Sequence, residues 1–433
     1  MKTVKLGLIG IGSVGLSVLK FYLSNKNLIK QKCNCDLEFK IVCDKDKNKK
    51  NVLPFDVEFT DNYKKILEDP DIDIVVELIG GLHPAYEIIT EAIKCGKHVV
   101  TANKAVLSEY WDKIFSLANK YNKSIYFEAA VAAGVPVIQA LHEGLAGNKI
   151  LGITGILNGT TNYILTIMNQ QKCSYEVAVK KIKHMGIAET DVYYDVSGYD
   201  TACKLSILSS LAYSSWIKIK NIYVEGIENI ELQDIIFAES FGFSIKLLGN
   251  SQFYKGSYFF EVRKFLVNKR SVFANILYEN NAVMFNGDYC GKILLAGKGA
   301  GGFSAASAVI SDIIAIAKEI VEAVGGRMQY VKYMPQKINI VKTEEVEDCF
   351  YLRFTTVDRA GVLAKIANIL GKYQVSIASV YQKEPLFKHK RGVPIILITH
   401  KTKEKNVILA LEKIKKLDVV LKTPIYIKIY SNT

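Results

Sequence analysis

Asp200 and Lys204 lie four residues apart at the start of a stretch of helical periodicity that runs from Thr201 to Ala212, so they share one face. A solvent-exposed ion pair would use the same spacing. Here Ala202, Cys203, Leu205, Ile207 and Leu208 surround the two with apolar side chains. A lysine held close to apolar surface and to another cation has its ammonium form disfavoured. That is how a lysine becomes a usable general acid near neutral pH. A second lysine, Lys104, follows Thr101-Ala102-Asn103, just past the end of a β-rich run. Ligands of open α/β sheets bind at that edge, so Lys104 is expected in a site. The segment Gly186-Ile187-Ala188-Glu189-Thr190-Asp191 runs on to Asp195, Gly198 and Asp200, bringing further acidic groups up to the same helix.

A third feature is Gly10-Ile11-Gly12-Ser13-Val14-Gly15, which follows a strand and opens a helix at Val14 to Leu23. The first glycine permits a tight turn, the second lets backbone approach a pyrophosphate, and the third lets helix and strand pack closely. This pattern in this context predicts a bound dinucleotide. The second strand ends at Asp44, followed by Lys45, Asp46 and Lys47. An acid there suits the ribose 2′-hydroxyl of NAD and nearby cations suit the 2′-phosphate of NADP, so the preference stays open.

These residues need elements to carry them. Val4 to Ile9, Phe39 to Asp44, Ile72 to Glu77 and His98 to Thr101 read as strands, separated by amphipathic stretches such as Ala85 to Cys95. That alternation predicts a mostly parallel sheet over residues 1 to 127. Residues 128 to about 310 mix helices, including Ser174 to His184, with strands. A polar connector over residues 330 to 346 precedes a compact βαββαβ unit. Its strands are Cys349 to Thr356, Ser376 to Gln382, Val393 to Thr399 and Pro424 to Tyr430. Its helices are Gly361 to Tyr373 and Lys405 to Lys416.

Composition narrows the class. Hydrophobic residues make up 49% of the 433, enough for several buried cores, and no apolar run reaches the roughly 18 residues of a membrane span. Met1 to Lys5 runs straight into a strand without secretory features, so a cytoplasmic protein with no membrane partner is expected. The eight cysteines are scattered. Cys33 and Cys35 form the one close pair, which points to reduced thiols and not to a zinc site. The net charge of +13 comes mostly from dispersed lysine, and the short runs Lys45 to Lys50 and Lys413 to Lys416 read as solvated faces. No nucleic-acid partner is expected, although basic character helps to attract anionic ligands.

Taken together, the motifs resemble homoserine dehydrogenase over nearly the whole chain. The resemblance rests on Gly155 to Leu165 (GILNGTTNYIL), on Gly186 to Glu189, on Asp195 to Leu205 (DVSGYDTACKL), on Val99 to Ala105 (VVTANKA) and on Gly297 to Gly301 (GKGAG). It implies reduction of L-aspartate 4-semialdehyde to L-homoserine with NADPH or NADH, NADP being slightly favoured. Lys204 would be the proton donor, with Lys104 a second site lysine near cofactor and substrate. Glu189 and Asp200 would hold the substrate ammonium group. Gly186 and Gly301 would line the cofactor site with the glycine loop. A sodium ion would be bound by Glu128, Val131, Ala133 and Val135, three of them through backbone carbonyls. The usual Pro-Thr pair after the GAG turn is replaced, with Phe303-Ser304 standing ahead of Ala305, and Ile187 stands where tyrosine is common.

The C-terminal unit resembles an ACT domain through Asp358-Arg359-Ala360-Gly361-Val362-Leu363, with Ala360 in place of the usual proline. That implies an amino-acid effector, typically threonine, near Asn368 and Ser376 to Ser379, and a homodimer or homotetramer. The fold class expected is α/β. A Rossmann domain spans residues 1–127, completed by residues ~305–325. A substrate and dimerisation α+β domain spans 128–330, a linker 331–347 and a ferredoxin-like ACT domain 348–433. No fused kinase is expected ahead of the first strand. Aspartate-semialdehyde dehydrogenase chemistry would need an activated cysteine, and Cys203 has no histidine partner in view. A sensor without catalysis would have no use for the set of Lys104, Glu189, Asp200 and Lys204.

Overall fold

Runs of valine and isoleucine with no polar face become strands covered on both sides. In the computed structural model, which describes residues 2–186, 191–322, 334–382 and 392–431, these are the strands that build the first sheet. β1 (Thr3–Ile9), β2 (Asp36–Cys43), β3 (Glu58–Thr60), β4 (Ile74–Glu77), β5 (His98–Thr101) and β6 (Ile125–Tyr126) pair in parallel in the order β3-β2-β1-β4-β5-β6. Helices α1 (Ser13–Cys33), α2 (Lys64–Glu68), α3 (Ala85–Lys94) and α4 (Lys104–Tyr121) make the crossovers. Strand order reverses between β1 and β4, and a crevice for ligands opens at such a point beyond the strand ends.

Helix α1 runs well past the expected Leu23. It kinks at Asn25, where φ is −118°, and continues because Ile29 and Cys33 are buried. Cys33 donates to the Cys35 carbonyl at 3.3 Å, and burial pushes the Cys35 thiol up to about 12, the behaviour of inert thiols.

After α5 (Val137–Gln139) comes β7 (Ile150–Ile156). Helices α6 (Gly159–Gln171), α7 (Tyr175–His184), α8 (Tyr193–Val196) and α9 (Tyr199–Ala212) follow, then β8 (Tyr223–Val224) and α10 (Leu232–Ser240). Two long hairpins, β9 (Phe243–Tyr254) with β10 (Ser257–Asn268) and β11 (Asn280–Gly287) with β12 (Gly291–Lys298), complete this part. Helix α11 (Gly302–Val321) then returns to the first sheet and packs along α1 and against β5 and β6.

The C-terminal elements are β13 (Glu347–Asp348), β14 (Phe350–Thr356), α12 (Val362–Lys372), β15 (Ile377–Gln382), β16 (Val393–Thr399), β17 (Thr402–Lys403), α13 (Glu404–Ile414) and β18 (Ile425–Tyr430). Their main strands lie in the order β18-β14-β16-β15, which is ferredoxin-like. The unit is not closed off from the rest, as its compact pattern in sequence suggested. β18 pairs in parallel with β10 (Phe265 with Lys428, Val267 with Tyr430), so one ten-stranded sheet spans both parts. Buried charge pairs reinforce the seam. Arg353 donates to Asp234 at 2.6 and 3.0 Å, Arg263 to Glu404 at 2.7 Å, and Lys428 to Glu261 at 3.0 and 3.2 Å. Removing one partner of such a pair strands a buried charge, so these contacts tie the C-terminal unit to the sheet in one position.

Among the described residues no helix is long and apolar enough to cross a membrane.

Candidate active site

The glycine loop occupies the crevice at the β1–β4 reversal. Gly10 has φ +102°, and a Cβ there would lie 2.7 Å from the Leu78 carbonyl carbon. At Gly15 a Cβ would lie 2.0 Å from the Gly10 oxygen, whereas at Gly12 it would meet nothing within 4 Å. The outer two glycines therefore serve packing, and the middle one leaves open space in front of the N-terminus of α1. Gly12 caps that helix without a side-chain hydrogen bond, and its first turn carries no acidic residue. An uncapped N-terminus behind an open glycine is the arrangement that suits an anion, and Ile11, Ser13 and Val14 lie in the same loop. Asp44 braces the loop, taking Ile11 N–H at 2.7 Å and Asp46 N–H at 3.0 Å. Gly15→Ala is expected to lower stability by about 1–3 kcal/mol, since backbone must move to admit the methyl group. Dinucleotide affinity should fall with it, in a thermal melt paired with a fluorescence titration of the cofactor. Unchanged affinity would remove the loop from the site.

Gly301 (φ +119°) caps α11, and a Cβ on the following Gly302 would lie 2.5 Å from Ser17 Oγ of α1. The GAG turn is thus brought against the start of α1, beside the dinucleotide cradle. Phe303, one of the departures from the usual motif, is 61% exposed, so the substitution leaves this packing untouched. Gly186 (φ +68°) closes α7, and its N–H returns to Lys183 within that helix. No hydrogen bond or ion pair among the described residues joins it to the other site groups. Glu189 and Ile187 lie outside the described residues.

The lysines and Asp200 come together from two elements. Lys104 opens α4 at the C-terminal edge of the parallel sheet, while Asp200 and Lys204 lie on α9. Lys204 Nζ donates to Asp200 Oδ2 at 2.8 Å and to the Leu157 carbonyl at 2.7 Å. Lys104 Nζ lies 3.0 Å from Asp200 Oδ1. The Lys204 side chain is 12% exposed and that of Lys104 34%, so Lys104 is the more open to the cleft. An ammonium has three N–H donors, so each lysine keeps at least one beyond its bond to Asp200.

Asp200 is buried. Burial alone would raise its carboxyl, but Lys204, then Lys104, and the hydrogen bond from Asn158 outweigh this and hold it at about 2. The sequence set one cation beside another, which would weaken the ammonium form. The carboxylate between the two lysines reverses that balance at Lys104, where burial lowers the ammonium but the charge and hydrogen bond of Asp200 carry it above the ordinary lysine value.

Two residues of this network carried no assigned role in the sequence reading. Asn158 caps α6 through Thr161 N–H, and its amide donates to Asp200 Oδ2 at 2.8 Å and Asp195 Oδ1 at 2.6 Å. The tract Gly155 to Leu165 was the available signal. Its other amide, Asn162, serves structure by donating to the carbonyls of Ile276, Tyr278 and Asn280. Glu77 is wholly buried at the end of β4 and accepts from Thr101 Oγ1 at 2.6 Å and Ile79 N–H at 2.9 Å. Burial pushes its carboxyl up. Thr101 in turn accepts Asn103 N–H, and Asn103 caps α4 through Val106 N–H, so the chain enters Lys104 from a fixed turn. The signal for Glu77 was a lone acid closing an apolar strand.

Cys203 is buried, its Sγ lies 3.2 Å from Tyr194 Oη, and burial raises its thiol. It lacks the features of an activated nucleophile, which removes the support for acyl-enzyme chemistry.

Glu128 is buried in a turn after β6. Its carboxylate accepts Ile138 and Gln139 N–H at 2.9 and 2.8 Å, and its own N–H donates to Asp312 at 2.9 Å. Ala132, at φ +53°, bends the chain between Val131 and Ala133, and Val135 N–H closes the turn on Ala132 at 2.8 Å. Val131, Ala133 and Val135 therefore lie in the same irregular turn as Glu128. Among the described residues no cluster of three or more His, Cys, Asp or Glu is placed to hold a metal.

Comparison with known proteins matches the three parts of this arrangement to known family models. Residues 10–128 match the family "Homoserine dehydrogenase, NAD binding domain", residues 136–314 match "Homoserine dehydrogenase", and residues 350–419 match "ACT domain". A homoserine dehydrogenase of Helicobacter pylori is 38% identical over 99% of both chains. One of Neisseria gonorrhoeae is 36% identical over 98% of this chain and 97% of its own. The crystal structure of a homoserine dehydrogenase from Thiobacillus denitrificans superposes with a TM-score of 0.94 at 36% identity, covering 99% of each chain.

Proposed function

Because the chain belongs to the homoserine dehydrogenase family and is an NAD(P)-dependent oxidoreductase, we propose that its Lys104–Asp200–Lys204 cluster carries the reversible reduction of L-aspartate 4-semialdehyde to L-homoserine. The observation that supports this reading is the pair of ammonium groups held on one buried carboxylate at the C-terminal edge of the dinucleotide-binding sheet. When bound, the reduced nicotinamide supplies a hydride to the aldehyde carbon. Negative charge then develops on the carbonyl oxygen, and Lys204 gives a proton to that oxygen, forming the hydroxyl and leaving a neutral amine that regains its proton from water. Lys104 stabilises the same charge from the more open side of the cluster. The resemblance assigns Asp200 to the substrate ammonium group. Its contacts with Lys104, Lys204 and Asn158 support instead a role in aiming both lysines. Glu189 keeps the role of substrate-ammonium ligand.

The phosphorylated cofactor is the preferred one in this reading. Both oxygens of Asp44 already take backbone N–H groups, and Lys45 and Lys47 follow it. A monovalent cation, sodium, would be held by Glu128, Val131, Ala133 and Val135, where it would keep the irregular turn between the two sheets in shape. In the C-terminal unit, Gly361 (φ +87°) opens α12, and β15 is an exposed edge strand. These features support an amino-acid effector, threonine, bound near Asn368 and Ser376 to Ser379 where two such units pair as a homodimer or homotetramer.

The test is oxidation of homoserine followed by the absorbance of the reduced nicotinamide, with NADP or NAD and with or without threonine. Faster turnover with NADP and a lower rate with threonine are expected. No reduction of either cofactor would defeat the reading.

A further inference from the structure

Resting on that assignment, we infer that Tyr194 is a positioning residue for Lys104, acting through the face of its ring. Lys104 Nζ stands 5.8 Å from the Tyr194 ring centroid, within the range of a cation–π contact. The ring is held at two points. Its hydroxyl lies 3.2 Å from Cys203 Sγ on α9, one residue from Lys204, and its edge meets Tyr199 with centroids 5.2 Å apart and planes at 63°. Burial raises the Cys203 thiol, which favours its neutral form.

The need for such a wall follows from the geometry of Lys104. Its long stem starts at the first residue of α4 and its side chain is 34% exposed, so the ammonium has freedom to swing into the cleft. Asp200 Oδ1 fixes it along one direction only. The ring face closes a second direction without taking a hydrogen bond, which leaves N–H donors for a substrate oxygen. A ring also favours the charged form of the amine without adding a second carboxylate that would compete for its protons. Because Tyr194 spans from α8 to α9 while facing α4, it sets Lys104 and Lys204 in a fixed relation.

The experiment compares Tyr194→Leu, which removes the ring, with Tyr194→Phe, which keeps it and loses only the Cys203 contact. Two quantities are read. One is the pH profile of acylation of Lys104 by an amine-directed reagent, followed by peptide mass spectrometry. The other is kcat and KM for homoserine at saturating cofactor. Tyr194→Leu is expected to move the Lys104 labelling midpoint to lower pH and to cut kcat by roughly fivefold, while Tyr194→Phe, its ring still held against Tyr199, shows a clearly smaller change in both. Tyr194 is 39% exposed, so neither change threatens folding. Labelling of Lys104 unchanged in Tyr194→Leu would overturn the inference. So would equal damage in the two variants, since that would assign the effect to the hydroxyl. The labelling profile does not depend on turnover, so a failure of homoserine oxidation in the parent enzyme would count against the function alone.

Discussion

Lys204→Ala is expected to lower kcat for homoserine oxidation by roughly 10²-fold or more, with cofactor binding little changed, at matched cofactor saturation. The size follows from what the side chain does. Two of its donors are fixed by Asp200 and the Leu157 carbonyl, which aim the third. Alanine removes the proton source and the aiming together, and water admitted in its place has no such orientation. Lys104→Ala should cost less, because the remaining lysine still holds a proton over the carboxylate. If Lys204→Ala turns over near the parent rate while Lys104→Ala is the more damaged, the two lysines have exchanged roles. Normal turnover in both would remove the cluster from the chemistry.

Asp200→Asn should bring two losses at once. The first is activity, falling by roughly 10²-fold, because two ammonium groups in a partly buried site lose the charge that holds them together. The second is a specific change in acid stability. The folded carboxyl sits at about 2 against an ordinary value of 3.8, since Lys204, Lys104 and Asn158 overcome the upward push of burial. A depressed carboxyl stabilises the folded state fully above its unfolded value, and that stability disappears as pH falls through the folded one. Asp200 therefore contributes about 2 kcal/mol above pH ~4, vanishing toward pH ~2. Chemical denaturation at neutral pH and near pH ~3 should show the parent losing part of this amount and Asp200→Asn losing less. Identical acid dependence in the two proteins would mean that the carboxylate is not held as the distances indicate.

Legibility in the sequence differed from residue to residue. The glycine loop was readable because its pattern is local, six residues between a strand and a helix, although the contact that requires Gly10 comes from Leu78 on a distant strand end. The spacing of Asp200 and Lys204 was readable for the same reason, one helical turn. The boundaries of most elements agree to within a few residues, with α1 the main exception, where burial of Ile29 and Cys33 carries the helix past a kink.

What the amino-acid order determined by itself was the set of elements, the dinucleotide loop and the family, all of which rest on patterns a few residues long. What only the tertiary structure decided was which distant groups meet. Lys104 reaches Asp200 across 96 residues of chain, Asn158 turns from a helix cap into a ligand of that carboxylate, and Tyr194 closes over the lysine. Likewise the C-terminal unit, a compact βαββαβ pattern in sequence, shares one sheet with the two long hairpins through β10 and β18. The physical reason is that local periodicity reports which face of an element is apolar, whereas the partner of that face, and the charge left between two elements, depend on how their surfaces dock. That docking also sets the charge state of Lys104, whose ammonium Asp200 carries above its ordinary value.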